Sequence, residues 1–319
     1  MELGCTLVLA KIAVTVARGF CMGAADIVPG VSGGTVALVF GIYEQLVDNV
    51  RRGARALASL ARLDAAEFVR RVRDIEWAFL GPLAVGLLAA LAVLSTVIER
   101  LLRDHPEEMA GLFLGLVLGS IVVAWRLVHR TRPATVAVMI VVGLVTFLLL
   151  GLQSGPVADP PLWIYFGAGA IAICAMILPG ISGSFLLLMM GMYAAVLGAV
   201  HDREFLVLLV FVAGATVGLA LFSTALGYLL DHHHDPLLAA LIGLMLGSVR
   251  VLWPWPNGVG LISEVAGESI SGTGLEVPGG GEWAAPTLLA VAAFAVVVLV
   301  GRVAPSSTKS PHSPAQVSA

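Results

Sequence analysis

The chain predicts an all-α polytopic membrane protein made of inverted-topology repeats, each a Pro-Gly-broken, re-entrant helical hairpin followed by three transmembrane helices. Three observations carry that expectation. Hydrophobic residues make up 59% of the 319 and charged residues only 12%, with a mean hydropathy of +0.98. A water-soluble domain carries about a quarter charged residues, so that class is excluded. Apolar runs then succeed one another along nearly the whole chain. Finally, the stretch Pro29-Gly30-Val31-Ser32-Gly33-Gly34-Thr35 returns as Pro179-Gly180-Ile181-Ser182-Gly183-Ser184. Downstream, Gly41-Ile42-Tyr43 is answered at the same offset by Gly191-Met192-Tyr193.

The apolar runs lie at 3–28, 31–50, 77–98, 109–127, 134–152, 163–178, 185–200, 205–230, 236–253 and 284–301. Most suffice to cross a bilayer, which takes ~20 residues. The runs flanking each motif are parted by a tight turn and not by a polar loop. Proline lacks the amide donor and glycine favours the unwound state, so no helix continues through Pro-Gly-x-Ser-Gly. Each such pair therefore reads as a hairpin with the motif at its tip. Three spans follow each hairpin, and Gly115-Leu116-Val117-Leu118-Gly119-Ser120 in the first set matches Gly243-Leu244-Met245-Leu246-Gly247-Ser248 in the second. A hairpin contributes an even number of crossings whether it is re-entrant or crosses twice. Each unit thus totals an odd number, and the two units sit in opposite orientation. The first repeat takes 1–152 and the second 153–303. The Ser/Pro-rich segment 304–319 reads as a disordered cytoplasmic tail.

Arginine sets the orientation. The segment 51–76 holds Arg51, Arg52, Arg55, Arg62, Arg70, Arg71 and Arg73, and the link 129–132 is also basic, whereas 153–161 and 254–285 contain neither Lys nor Arg. The first two are expected in the cytoplasm and the last two outside, with both termini cytoplasmic. The link Asp231-His232-His233-His234-Asp235 falls in the cytoplasm by parity alone. In 51–76 the arginines alternate with Asp64, Glu67, Asp74 and Glu76, so a solvated amphipathic helix fits better than a nucleic-acid or headgroup patch. The Gly-rich acidic stretch 257–281 reads as a flexible external loop. Lys11 and Arg18 within the first apolar run argue against a cleaved signal peptide. Cys5, Cys21 and Cys174 lack zinc-like spacing and read as packing residues.

A Ser/Gly turn at membrane depth leaves backbone groups without partners, at several kcal/mol each, and is tolerated only inside protein or beside a wet cavity. Two such turns entering from opposite faces imply one polar site near the midplane. There the amides of Gly33, Gly34 and Thr35 and of Gly183 and Ser184 begin helices, with the Ser32 and Ser182 hydroxyls alongside. Helix N-termini of this kind attract a phosphate or carboxylate. The competing reading is that the glycines only let helices pack closely.

Asp26 precedes Pro29 by three residues, and Met176 holds its place in the copy. Coupling to a proton or sodium ion and a bracing bond to the turn amides both suit it. Arg18 and Arg250 stand inside apolar runs; each either neutralises an anionic headgroup or snorkels to an interface. Glu44 reads as interfacial. Consecutive histidines on a helix cannot all face one ion, so His232-His233-His234 is assigned no metal. No cofactor and no catalytic residue are assigned, since neither a nucleophile elbow nor a paired His-Glu motif occurs.

The residues Arg18-Gly19, Met22-Gly23-Ala24-Ala25-Asp26-Ile27-Val28 and the first turn through Tyr43 resemble the first signature of the bacterial polyprenyl-phosphate transporter family. Ala172-Ile173-Cys174-Ala175-Met176-Ile177-Leu178, with the second turn through Tyr193, resembles its second, and the likeness spans 10–302. It implies a non-enzymatic undecaprenyl phosphate translocase of the bacterial cytoplasmic membrane, returning the spent lipid carrier of cell-wall synthesis from the outer to the inner leaflet. The implied partners are polyprenyl phosphate and the bilayer, with no nucleic acid; a coupling proton or sodium ion, against transport driven by the lipid gradient alone, and a homo-oligomer are left open. Two other readings stay open as well. One is a channel or transporter for a small inorganic anion or other solute; the other is a membrane-embedded lipid phosphatase, for which Ser32 or Ser182 lacks a base. The histidine run and 254–285 depart from the family pattern.

Overall fold

In the computed structural model the described residues are 2–27, 32–62, 64–151, 157, 160–255, 275–279 and 282–303, with the side chains of 2–8, 60, 61, 99 and 303 apart. Pro29-Gly30, the tail 304–319, most of the link 153–161 and the stretch 256–274 lie outside them.

The described residues form helices and no strand. The first half holds α1 (Glu2–Asp26), α2 (Gly33–Val39), α3 (Tyr43–Ala61), α4 (Ala65–Arg73), α5 (Trp77–Asp104), α6 (Pro106–Trp125) and α7 (Pro133–Leu149). The second holds α8 (Leu162–Ile177), α9 (Gly183–Met189), α10 (Tyr193–His201), α11 (Phe205–His232), α12 (His234–Ser248) and α13 (Ala284–Val303). Helices α5, α6, α11 and α13 are long and apolar enough to cross a membrane, and α7, α8 and α12 are shorter apolar helices. Pro106 and Pro133 open α6 and α7, where the missing amide costs nothing. Large apolar side chains such as Leu88, Leu144, Leu209 and Leu288 point outward, as hydrocarbon and not water requires. The chain is a multi-pass membrane protein.

The halves use the same pairings. Helix α1 packs along α5 as α8 does along α11, and α6 packs along α13 as α12 does along α7. The second span of each half is thus clasped by the third span of the other. Backbones come close at these crossings because glycine stands there. A Cβ on Gly19 would overlap the Leu83 carbonyl, one on Gly169 the Phe211 carbonyl, and one on Gly115 the Ala290 carbonyl. Small-residue packing therefore operates in the spans, apart from whatever the motif turns do.

Two expectations are refined. The run 31–50 is not one arm but two helices, because the chain turns at Gly41, whose φ of +66° glycine alone adopts freely. Gly191 repeats this with φ +70°, and α9 and α10 bend apart by 109°. Each turn thus leads into a helix of seven residues, about 10 Å long and short of a crossing. Likewise the Arg-rich segment spans the end of α3 and all of α4, since the Asp64 carboxylate accepts the Glu67 amide at 2.9 Å and starts a new helix.

The start of α3, the link after α6 and the start of α12 gather at one end. Glu44 Oε1 lies 3.1 Å from His234 Nε2, the His129 and Arg130 amides donate to Asp235, and farther along α3 Arg51 Nη1 reaches Asp231 Oδ2, in the last turn of α11, at 3.0 Å.

Candidate functional site

Asp26 ends α1 and Ser32 caps α2. Ser32 has extended backbone, φ −129° and ψ 136°, and its Oγ accepts the Gly34 amide at 3.1 Å. Asp26 Oδ1 accepts the Gly33 amide at 2.5 Å, and the Ser32 carbonyl accepts the Thr35 amide at 2.9 Å. The first-turn amides expected to face an anion are therefore partnered within the protein. The Asp26 carboxylate fills the anion position at the start of α2.

The second turn differs. Gly180 holds φ +86° with Met245 packed against it, and its amide donates to Thr35 Oγ1 at 3.0 Å. Ser182 stands at the cap of α9, but its hydroxyl shares a 2.8 Å hydrogen bond with Ser184 Oγ and caps no amide. The Gly183 and Ser184 amides find no acceptor among the described residues. The Ser184 amide is left open because Ser182 Oγ turns to Ser184 Oγ, and the Gly183 amide because of a substitution between the copies. A Cβ on Gly33 would meet Asp26 Oδ2 at 2.6 Å, and one on Gly183 would meet Met176 Cγ at 2.6 Å, so the two positions are equivalent and only the first carries a carboxylate.

The turns lock together through α8. Ser32 Oγ donates to the Met176 carbonyl at 3.3 Å, and the Tyr43 hydroxyl donates to the Ile177 carbonyl at 3.2 Å. Carbonyls freed at the end of α8 are thereby satisfied by the first half. Tyr43 and Ile177 had no assigned part in the sequence reading; the only signal was that Tyr43 recurs as Tyr193.

Between the turns lies a cavity of about 380 Å³, lined by Asp26, Ser32, Ser182, Gly183 and Ser184 and walled by α8 and α11. Among the described residues Asp26 is the one acid or base lining it. An apolar groove of about 520 Å³ adjoins, bounded by Leu178, Leu186 and Phe222, and Ile181 lines both. Gly33, Gly34 and Thr35 are buried behind the cavity. Neither arginine lines it. Arg18 lies two turns before Asp26, about 12 Å along α1, and is half-buried. Arg250 follows the end of α12 and places its guanidinium 5.0 Å from the Phe147 ring centre.

Broken helices meeting at a cavity whose largely apolar wall carries Asp26 and the hydroxyls of Ser32, Ser182 and Ser184, inside an apolar helical bundle, define an integral membrane protein of the broken-helix type. Comparison with known proteins narrows the class. The chain belongs to the family described as undecaprenyl phosphate translocase-like, whose model matches residues 22–270. It is 39% identical over 257 residues to a polyprenyl-phosphate transporter of Vibrio cholerae serotype O1, covering 80% of this chain and 82% of that one. It is 31% identical over 258 residues to a polyprenyl-phosphate transporter of Staphylococcus aureus, covering 76% and 86%. No solved structure matches it.

Proposed function

We propose that the protein moves undecaprenyl phosphate across the bacterial cytoplasmic membrane, holding the phosphate in the cavity between the two turns while the isoprenoid tail runs along the adjoining groove. Both termini are assigned to the cytoplasm, and the turns to re-entrant hairpins from opposite faces. The observation that carries the reading is the adjacency of the two spaces through Ile181. A phosphomonoester lipid needs a few hydrogen-bond donors for its head beside continuous apolar space for its tail, and a bare inorganic anion has no use for the second. The Gly183 and Ser184 amides, with the Ser182 and Ser184 hydroxyls, are the donors offered to phosphate oxygens.

Asp26 lines the same cavity. Two unit charges ~4 Å apart at an effective dielectric of 20 repel by about 4 kcal/mol, so phosphate binding and a proton or sodium ion at Asp26 favour each other. This reciprocal linkage is the basis of coupled transport.

The test is reconstitution of the full chain in liposomes, supplied separately with undecaprenyl phosphate and with inorganic phosphate. Movement of the lipid without phosphate flux is expected. Phosphate flux without lipid movement would overturn the proposal in favour of the small-anion transporter.

A further inference from the structure

The histidine run is divided by the fold. His232 stacks on Tyr228 with ring centres 4.3 Å apart, and His233 is exposed. His234 turns the other way, toward His129 on the link after α6. His129 Nδ1 and His234 Nδ1 each lie 3.4 Å from Asp235 Oδ1, and the three ligand atoms fall within 4.8 Å of one another. A tetrahedral zinc ion with bonds of about 2.0–2.1 Å holds its ligand atoms about 3.3–3.4 Å apart. The spacing to Asp235 is that of ligands sharing one ion.

Two further contacts point the same way. Asp235 is held in place, since its Oδ1 accepts the His129 amide and its Oδ2 the Arg130 amide, both at 3.0 Å. The far side of the His234 ring meets another carboxylate, with Nε2 3.1 Å from Glu44 Oε1. A neutral imidazole has one N–H. Given to Glu44, it leaves the Nδ1 lone pair facing Asp235 Oδ1, where the His129 ring nitrogen converges as well. A positive charge removes that opposition, either a proton on Nδ1 or a metal ion among the three atoms. A carboxylate on the outer nitrogen is also how metal-bound histidines are usually oriented. The His129 side chain is 63% exposed, so a fourth position is open to water.

We propose that His129, His234 and Asp235 bind a divalent transition-metal ion of the zinc class, with Glu44 orienting His234. The ion pins the link after α6 to the start of α12. Its orienting partner Glu44 is one residue from Tyr43, whose hydroxyl bonds the Ile177 carbonyl beside the second turn. This site is independent of the lipid cavity.

The experiment uses the tag-free full chain in detergent, stripped with a chelator and titrated with Zn²⁺ against a chromophoric competitor. One ion per chain is expected. His129→Gln and His234→Gln should each weaken binding at least 100-fold, Glu44→Gln by 10- to 100-fold, and His233→Gln not at all. Co²⁺ bound to the unaltered chain should give the intense visible absorption of a tetrahedral site, which needs no variant to fold. Failure to bind one ion, binding that survives both His129→Gln and His234→Gln, or the pale spectrum of octahedral Co²⁺ overturns the proposal.

Discussion

Thr35 Oγ1 accepts the Gly180 amide at 3.0 Å, with both residues buried, so the first motif is bonded to the turn of its own copy. Gly180 cannot reorient to find another acceptor, because Met245 packs on it and its φ is +86°. Thr35→Val keeps the shape and removes the acceptor. A buried unpaired amide costs about 1–3 kcal/mol. The variant should unfold at lower temperature in detergent, whereas Thr35→Ser should stay near the unaltered chain. Equal stability of all three would mean that the contact contributes nothing to joining the halves.

Arg250 is stacked on Phe147, outside the cavity. Such a cation–π contact is worth about 0.5–2 kcal/mol. Arg250→Gln should therefore lower thermal stability by about that much and change affinity for undecaprenyl phosphate less than two-fold. The same small change in affinity is expected for Arg18→Gln. A loss of ten-fold or more in either variant would restore the headgroup role that apolar surroundings suggested for these arginines.

Thiol labelling tests the placement of the turns. A side chain at Gly183 would strike the Ala172 carbonyl at 2.6 Å, so the informative positions are Ser32 and Ser184, in a background without Cys5, Cys21 and Cys174. Ser32→Cys and Ser184→Cys should react poorly with bulky membrane-impermeant reagents, and Val277→Cys, at a position 90% exposed, should react from outside. Ready labelling of both turn positions from a single face would sink the inverted arrangement.

The helical class and the paired turns were legible because they rest on composition and on a long repeat in register. Other features were invisible for physical reasons. The positive φ at Gly41 that separates α2 from α3 leaves no mark distinguishing it from a packing glycine such as Gly19. The groove along Leu178, Leu186 and Phe222 arises from the packing of three helices and has no residue-type signature. His234 meets His129 of a distant link at one end of the bundle, and inspection of the run 232–234 alone argued against a metal. For Asp26 the sequence offered coupling or bracing, and in the fold its carboxylate accepts the Gly33 amide and lines the cavity.

Asp26 bonds the Gly33 amide at 2.5 Å and lines the cavity with Ser182 and Ser184. Bracing needs only an acceptor, whereas coupling needs a group that gains and loses a charge. Asp26→Asn separates the two, because the amide oxygen still accepts from Gly33 while the side chain no longer titrates. The variant should fold and bind undecaprenyl phosphate, yet its transport in liposomes should lose dependence on pH or sodium. Asp26→Ala removes the acceptor as well and should lose a further ~1–3 kcal/mol of stability. If Asp26→Asn transports with the ion dependence of the unaltered chain, coupling resides elsewhere. The carboxylate then serves only to hold the start of α2 against the end of α1.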